Sequence, residues 1–185
     1  MVKKTLINSL VKLEGKGISL LNVPSIKPDK TTLQAFEILK QIYTRAENVD
    51  LMIWIAGSWA AMGASGKFIK NTNDIDITVR TLEDEERLME IVVSLGFRVI
   101  GHSRLLAIRC VGIENDIQID FASTTNPKSH FYNIHLSDED FGLLDGFAYR
   151  IVPKASLIGI YKKLVLDNKR NTREDLVKLK TFASK

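Results

Sequence analysis

The chain has 185 residues, 45% of them hydrophobic and 26% charged, enough for one domain with a real core and a small appendage. Its net charge of +4 suits a polyanionic ligand such as a nucleotide but is too modest to argue for nucleic acid by itself, which stays open as a partner. Cys110 is the only cysteine, no apolar run approaches the roughly 20 residues that span a bilayer, and the start is broken by Asn8, Lys12, Glu14 and Lys16; the expectation is a cytoplasmic protein with no disulfide, membrane span or signal peptide.

Residues 1–29 form an ill-defined extension, with a short strand at Ile18–Leu21 and a loop at Pro24, Pro28 and Asp29. A helix starts near Thr31 or Thr32, where Leu33, Phe36, Leu39 and Tyr43 recur at helical spacing. Leu51 to Ala56 reads as a buried strand ended by Gly57, and Ser58 to Ala64 as a short helix of small residues stopped by Gly66. A loop over Ser65–Asn73 leads into a strand at Asp74–Val79. Thr81 and Asp84 then form a capping box for a helix burying Leu88, Ile91, Val92 and Leu95, and Gly96 ends it. Strands follow at Phe97–Ile100, Leu105–Val111 and Asp116–Phe121, then a loop-rich section to about Gly146 and a last strand at Phe147–Val152. Helices at about 154–167 and 172–183 close the chain, the second opened by Thr172 and Asp175. The pattern predicts an α/β (α+β) fold: a mixed sheet flanked by helices over 30–152, with a C-terminal helix pair at 153–185 belonging to the same compact unit.

Asp74 and Asp76 alternate with Ile75 and Ile77, so both carboxylates leave one face of their strand. Two like charges this close call for a counter-ion, and Mg²⁺ held by one or two carboxylates plus substrate phosphates is a recurring answer. The competing reading is a solvated strand face. Gly57-Ser58 closes a buried strand and opens a helix, where glycine lets the backbone approach a phosphate and first-turn N–H groups aim at the anion. A plain strand-to-helix turn with Ser58 as N-cap is the alternative. In Asp116–Phe121, alternation places Asp116, Gln118 and Asp120 on one face, and Asp120, deepest in the apolar part, needs a partner. If this strand neighbours that of Asp74 and Asp76, three carboxylates converge in a constellation suited to metal-assisted phosphoryl or nucleotidyl transfer.

Ile53 to Ala60, with Gly57-Ser58-Trp59 inside it, a spacer, and then Asp74-Ile75-Asp76-Ile77 resemble the signature of the DNA polymerase β-like nucleotidyltransferases, most closely the minimal lincosamide and aminoglycoside adenylyltransferases. The resemblance extends to Lys70–Asp74, to the helix ending Leu95-Gly96-Phe97, to Asp120 and more weakly to Thr172–Leu176, covering about 50–180. Ser58 stands where antibiotic-modifying members commonly carry a second glycine. The resemblance implies that Gly57 and Ser58 bind the phosphates of a nucleoside triphosphate, most simply ATP. It implies that Asp74 and Asp76 hold Mg²⁺ (or Mn²⁺), and that Asp120 either completes the metal set or takes the acceptor's proton. Transfer of a nucleoside monophosphate to a hydroxyl of a small molecule or protein, with release of pyrophosphate, is the implied activity.

Lys67 and Lys70 lie in the spacer, as triphosphate contacts or as solvated loop lysines. Arg173 and Lys163 read equally as helix surface charges, and Trp59 as a base-stacking or a core residue. His102, His130 and His135 lack metal-ligand spacing, and Cys110 reads as a small core residue. The alternative to an enzyme is a non-catalytic or antitoxin-like binding module of the same fold; a homodimer or a toxin–antitoxin partner fits either reading. All three acidic positions are filled, which favours the enzyme.

Overall fold

The computed structural model describes residues 24–102, 107–157 and 160. The expected strand at Ile18–Leu21, the start of the strand at Leu105, nearly all of the closing helix pair, and Lys163 and Arg173 lie outside the described residues.

Helix α1 (Lys30–Asn48) begins where Asp29 accepts a hydrogen bond from the Thr32 backbone N–H at 2.7 Å, one of the donors a helix start leaves open. Its inner stripe of Ala35, Phe36, Leu39, Ile42, Tyr43 and Ala46 is buried, whereas Leu33 is exposed because it falls on the outer side. Strand β1 (Trp54–Ile55) pairs for only two residues before the chain turns into α2 (Gly57–Ser65). Strand β2 (Asp74–Val79) has the predicted bounds. Helix α3 (Leu82–Ser94) carries the complete capping box, each of Thr81 and Asp84 bonding the other's backbone N–H. Leu88 and Val92 are fully buried on it; Ile91 and Leu95 pack against the core from its edge.

Strands β3 (Phe97–His102), β4 (Ile108–Gly112) and β5 (Gln118–Ser123) complete a five-stranded sheet ordered β1-β2-β5-β4-β3. Only β2 and β5 run parallel; the other neighbours are antiparallel. A parallel pair requires a crossover, and α3, β3 and β4 supply it before the chain returns to β2's side. The section expected to be loop up to Gly146 contains β6 (Phe141–Leu144), which pairs with β7 (Phe147–Arg150) in a hairpin. Sequence alternation missed β6 because Phe141 and Leu143 face outward, leaving only Gly142 and Leu144 inside. The hairpin joins the sheet edge through the Val152 N–H bond to the Ile55 carbonyl, at 2.9 Å.

Candidate active site

Register brings the acids together. Asp76 and Asp120 are direct partners across the parallel β2–β5 ladder, so their side chains leave the same face of the sheet at one level. Asp74 sits two residues earlier on β2, opposite Gln118, and is exposed, whereas Asp76 and Asp120 are 7% and 5% exposed. The two strands are therefore neighbours, as the expected convergence requires, with Asp74 at the solvent end and the other two acids inside. Asp116 precedes β5 and faces solvent; its carbonyl accepts from the Asn73 side chain at 2.7 Å, tying the entrances of β2 and β5 together.

The turn at Gly57 lies against these acids. The Ala56 N–H donates to the Asp76 carbonyl at 2.8 Å, which fixes the next residue above Asp76. Gly57 has φ of +60°, a left-handed conformation that glycine adopts without a steric cost. A Cβ there would overlap Asp76 Oδ2 and lie 2.9 Å from Asp76 Cγ, so two separate demands exclude any side chain at this position. The N-cap is Ala56, not Ser58, and it offers no side-chain acceptor to the first-turn N–H groups. Ser58 lies within that first turn and is buried.

Trp59 is a core residue with a role in the site's frame. Its ring stacks on Phe36 at 5.6 Å, and its indole N–H donates to the Asp74 carbonyl at 2.8 Å. Tyr149 from β7 donates its hydroxyl to the Trp59 carbonyl at 2.8 Å, so the hairpin also braces this helix. The spacer after α2 is tied down by the start of α1. Ile26 N–H bonds the Phe68 carbonyl, Asp29 N–H the Asn71 side chain, and Thr72 N–H the buried Thr32 hydroxyl, at 2.9, 3.0 and 3.0 Å. Lys67 stands just past the C-terminal end of α2, whereas Lys70 lies in the segment leading into Asp74. The residues flanking Lys70 are thus tethered to the start of α1, whereas Lys67 is held to the end of α2, its N–H bonding the Met62 carbonyl and its carbonyl accepting from the Ser65 hydroxyl, both at 3.3 Å.

Arg109 was not anticipated. It is the β4 partner of Asp120, and its guanidinium grips that carboxylate with both arms, Nε to Oδ1 at 2.8 Å and Nη2 to Oδ2 at 2.7 Å. The hydrogen bonds to Asp120 raise the Arg109 pKa above its ordinary value against the opposing effect of burial, and the charges of Asp120, Asp74 and Asp76 add to the rise. The guanidinium therefore sits in the field of all three acids. Asking what a buried Asp120 would pair with, and noting a lone arginine inside the apolar run Ile108–Val111, would have found it.

The donor set suits a hard divalent cation, because it is made of carboxylate oxygens alone. As the side chains lie, no group of three or more His, Cys, Asp or Glu among the described residues is arranged to hold a metal ion, and Arg109 occupies both oxygens of Asp120. His102 and His130 join no such group either, and Cys110 is a buried strand residue, as expected. Among the described residues no helix is long and apolar enough to cross a membrane.

The family model of the aminoglycoside-2''-adenylyltransferases matches residues 38–127, a segment that includes Gly57, Ser58, all three acids and Arg109. Among solved structures, the chain is similar to ANT(2")-Ia in complex with adenylyl-2"-tobramycin, at 18% identity over 83% of this chain and 89% of that one, with a TM-score of 0.63. The lincosamide antibiotic adenylyltransferase LnuA, lincomycin-bound, is 15% identical over 86% and 99% of the two chains, with a TM-score of 0.56. An antigenic nucleotidyltransferase-like protein from Paracoccidioides brasiliensis is 10% identical over 80% and 74%, also at 0.56. No curated protein matches the chain by sequence.

Proposed function

From the nucleotidyltransferase fold that this chain shares with antibiotic adenylyltransferases, we propose that it transfers a nucleoside monophosphate from ATP to a hydroxyl of a small, antibiotic-like acceptor, releasing pyrophosphate. The observation that carries this reading is the register that sets Asp76 beside Asp120, with the Gly57 turn packed against the Asp76 carboxylate. The adjacency of the Gly57 turn and the acidic row supports this reading.

The geometry supports a division of labour. The first turn of α2, with no side-chain cap, presents backbone N–H groups and Ser58 to the β- and γ-phosphates, and Gly57 permits the close approach. Asp74 and Asp76, on one face of β2, would hold Mg²⁺, or Mn²⁺ in its place, with Asp120 as the third member of the set. When bound, the cation offsets phosphate charge and supports in-line displacement. Of the spacer lysines, Lys70 is the better placed for the triphosphate, because its loop is held by α1 and runs directly into Asp74. The acceptor oxygen forms a bond to the α-phosphorus, the bond from that phosphorus to the bridging oxygen breaks, and pyrophosphate leaves with the electron pair. The acceptor's proton passes to a base, a role open to Asp120 in place of metal ligation once Arg109 releases its oxygens.

Three filled acidic positions, two of them partners across one ladder, favour an enzyme over a non-catalytic module, which has no need to keep all three. The test is incubation of the protein with radiolabelled ATP, Mg²⁺ and a panel including tobramycin and lincomycin, reading labelled product and pyrophosphate. Transfer by the wild type, abolished in Asp76→Asn with the fold intact, is the expected result. Equal activity in the variant, or no transfer to any acceptor tried, the protein itself included, would sink the proposal.

A further inference from the structure

One row crosses three neighbouring strands at a single level: Asp76 on β2, Asp120 on β5 and Arg109 on β4. At its far end the guanidinium takes both oxygens of Asp120, at 2.8 and 2.7 Å. A carboxylate gripped in this fork cannot turn the same lone pairs to a cation, and the resident positive charge opposes a second one nearby. The two partners differ in freedom. The Asp120 side chain is 7% exposed and set in the middle of the sheet, whereas the Arg109 side chain is 32% exposed and has a path to solvent. If the pair opens, it is Arg109 that moves.

We propose that Arg109 and the divalent cation compete for Asp120. Arg109 is the resident counter-charge of the metal-free protein, and Asp120 joins the cation only as the bidentate bond is given up. The inference rests on the metal-dependent reading above and deepens it. It makes Arg109 a positioning residue that acts through Asp120 and sets how readily the site takes up metal. Linkage then requires that metal loosen the Arg109–Asp120 pair by the same factor by which the pair weakens metal binding.

The full chain without nucleotide is titrated with Mn²⁺, free ion being followed by electron paramagnetic resonance. Arg109→Gln should bind Mn²⁺ about fivefold more tightly than the wild type, the low end of typical coupling between sites, because Arg109 is partly solvated. A purely structural role for Arg109 would loosen binding instead. In an Asp120→Asn background the Arg109→Gln effect should shrink to less than about twofold, since there is no longer a carboxylate to compete for. Equal or weaker Mn²⁺ binding in folded Arg109→Gln overturns the proposal. So does an undiminished effect in the Asp120→Asn background, which would indicate simple repulsion of the ion. Asp76→Asn separates the two levels of inference: binding lost in Asp76→Asn yet unchanged in Arg109→Gln overturns this inference alone. Binding absent from the wild type, or indifferent to Asp76→Asn, removes the metal-dependent reading and this inference with it. Should Arg109→Gln fail to fold, Arg109→Lys decides. It keeps the charge but not the fork, and should bind Mn²⁺ about twofold more tightly than the wild type; no tightening there overturns the proposal.

Discussion

Replacing Gly57 with alanine separates the two demands that the turn places on its residue. The first is conformational: at φ of +60° an added Cβ costs roughly 1–2 kcal/mol whatever surrounds it. The second is steric. The new methyl would overlap Asp76 Oδ2 and lie 2.9 Å from Cγ and 3.2 Å from Cβ, so the whole carboxylate must swing aside, at about 1–3 kcal/mol for overpacking. The sum, about 2–5 kcal/mol, is tolerable against the roughly 5–15 kcal/mol that holds a domain together, so the variant should fold. Activity should suffer more, because displacing a positioned catalytic group by about 1 Å can cost about a hundredfold. Gly66→Ala supplies the control. Gly66 has φ of +70°, but its added Cβ would meet only the Leu143 carbonyl at 3.8 Å, so it carries the strain without the collision. Urea unfolding should show Gly66→Ala destabilised by about 1–2 kcal/mol with transfer unchanged, and Gly57→Ala destabilised further with nucleotidyl transfer nearly lost. Transfer by Gly57→Ala within about threefold of wild type would refute the steric argument, and with it the placement of Asp76 under the turn.

Three further outcomes follow from the same contacts. Trp59→Phe keeps a ring to stack on Phe36 but removes the indole N–H from the Asp74 carbonyl; it should cost about 1 kcal/mol in urea unfolding and weaken Mn²⁺ binding, whereas unchanged metal affinity would show that Asp74 needs no such tether. Glu85 on α3 is buried and accepts the Ser123 backbone N–H at 2.6 Å; Glu85→Ala should cost about 2–3 kcal/mol by stranding that donor, and Glu85→Gln, which keeps an acceptor, should recover most of it in the same denaturation assay. Burial pushes the Cys110 thiol up from 9.0 to about 11, so the native protein should resist thiol-directed disulfide reagents at pH 8 and react only in denaturant; the unfolded chain loses this proton first, so folding stability should fall as pH rises from about 9 to 11.

Much of this site could be read from the sequence because its positions obey the simplest periodicity. In β2 and β5 alternation alone decides which residues share a face, and a parallel register does the rest: Asp76 beside Asp120 needed only the two strands to be neighbours. The β2 bounds and the Thr81/Asp84 cap were legible for the same reason, since both are local. What stayed hidden depends on long-range pairing. Arg109 becomes a partner of Asp120 only through the antiparallel β4–β5 register, with the sheet's order deciding which strand lies next. Thr32 reads as a helix-start residue, yet its hydroxyl holds the Thr72 backbone across 40 positions of sequence. Strand β6 eluded the periodicity because its larger apolar side chains point outward, and Glu85 is buried only because the fold brings α3 against β5.

The brevity of β1 is what links that topology to the chemistry. A longer strand would continue pairing with β2 past Ile55 and carry the backbone away from the acids' face. Here the pairing at Trp54 and Ile55 is followed by one last hydrogen bond, from the Ala56 N–H to the Asp76 carbonyl at 2.8 Å, and the chain turns at the next residue. That bond sets the turn's position to within one residue, and the residue it places over Asp76 must be the one type with no side chain to overlap the carboxylate. Trp59, two positions later, then fixes Asp74 through its carbonyl, so both acids of β2 are indexed to the start of α2. Shifting the strand end by one residue would reverse which side chains face the site while leaving the fold class unchanged. The acids and the Gly57 turn are therefore held in one frame by ladder register, whereas Arg109, on the opposite side of Asp120 and partly in solvent, is the member of the row free to exchange.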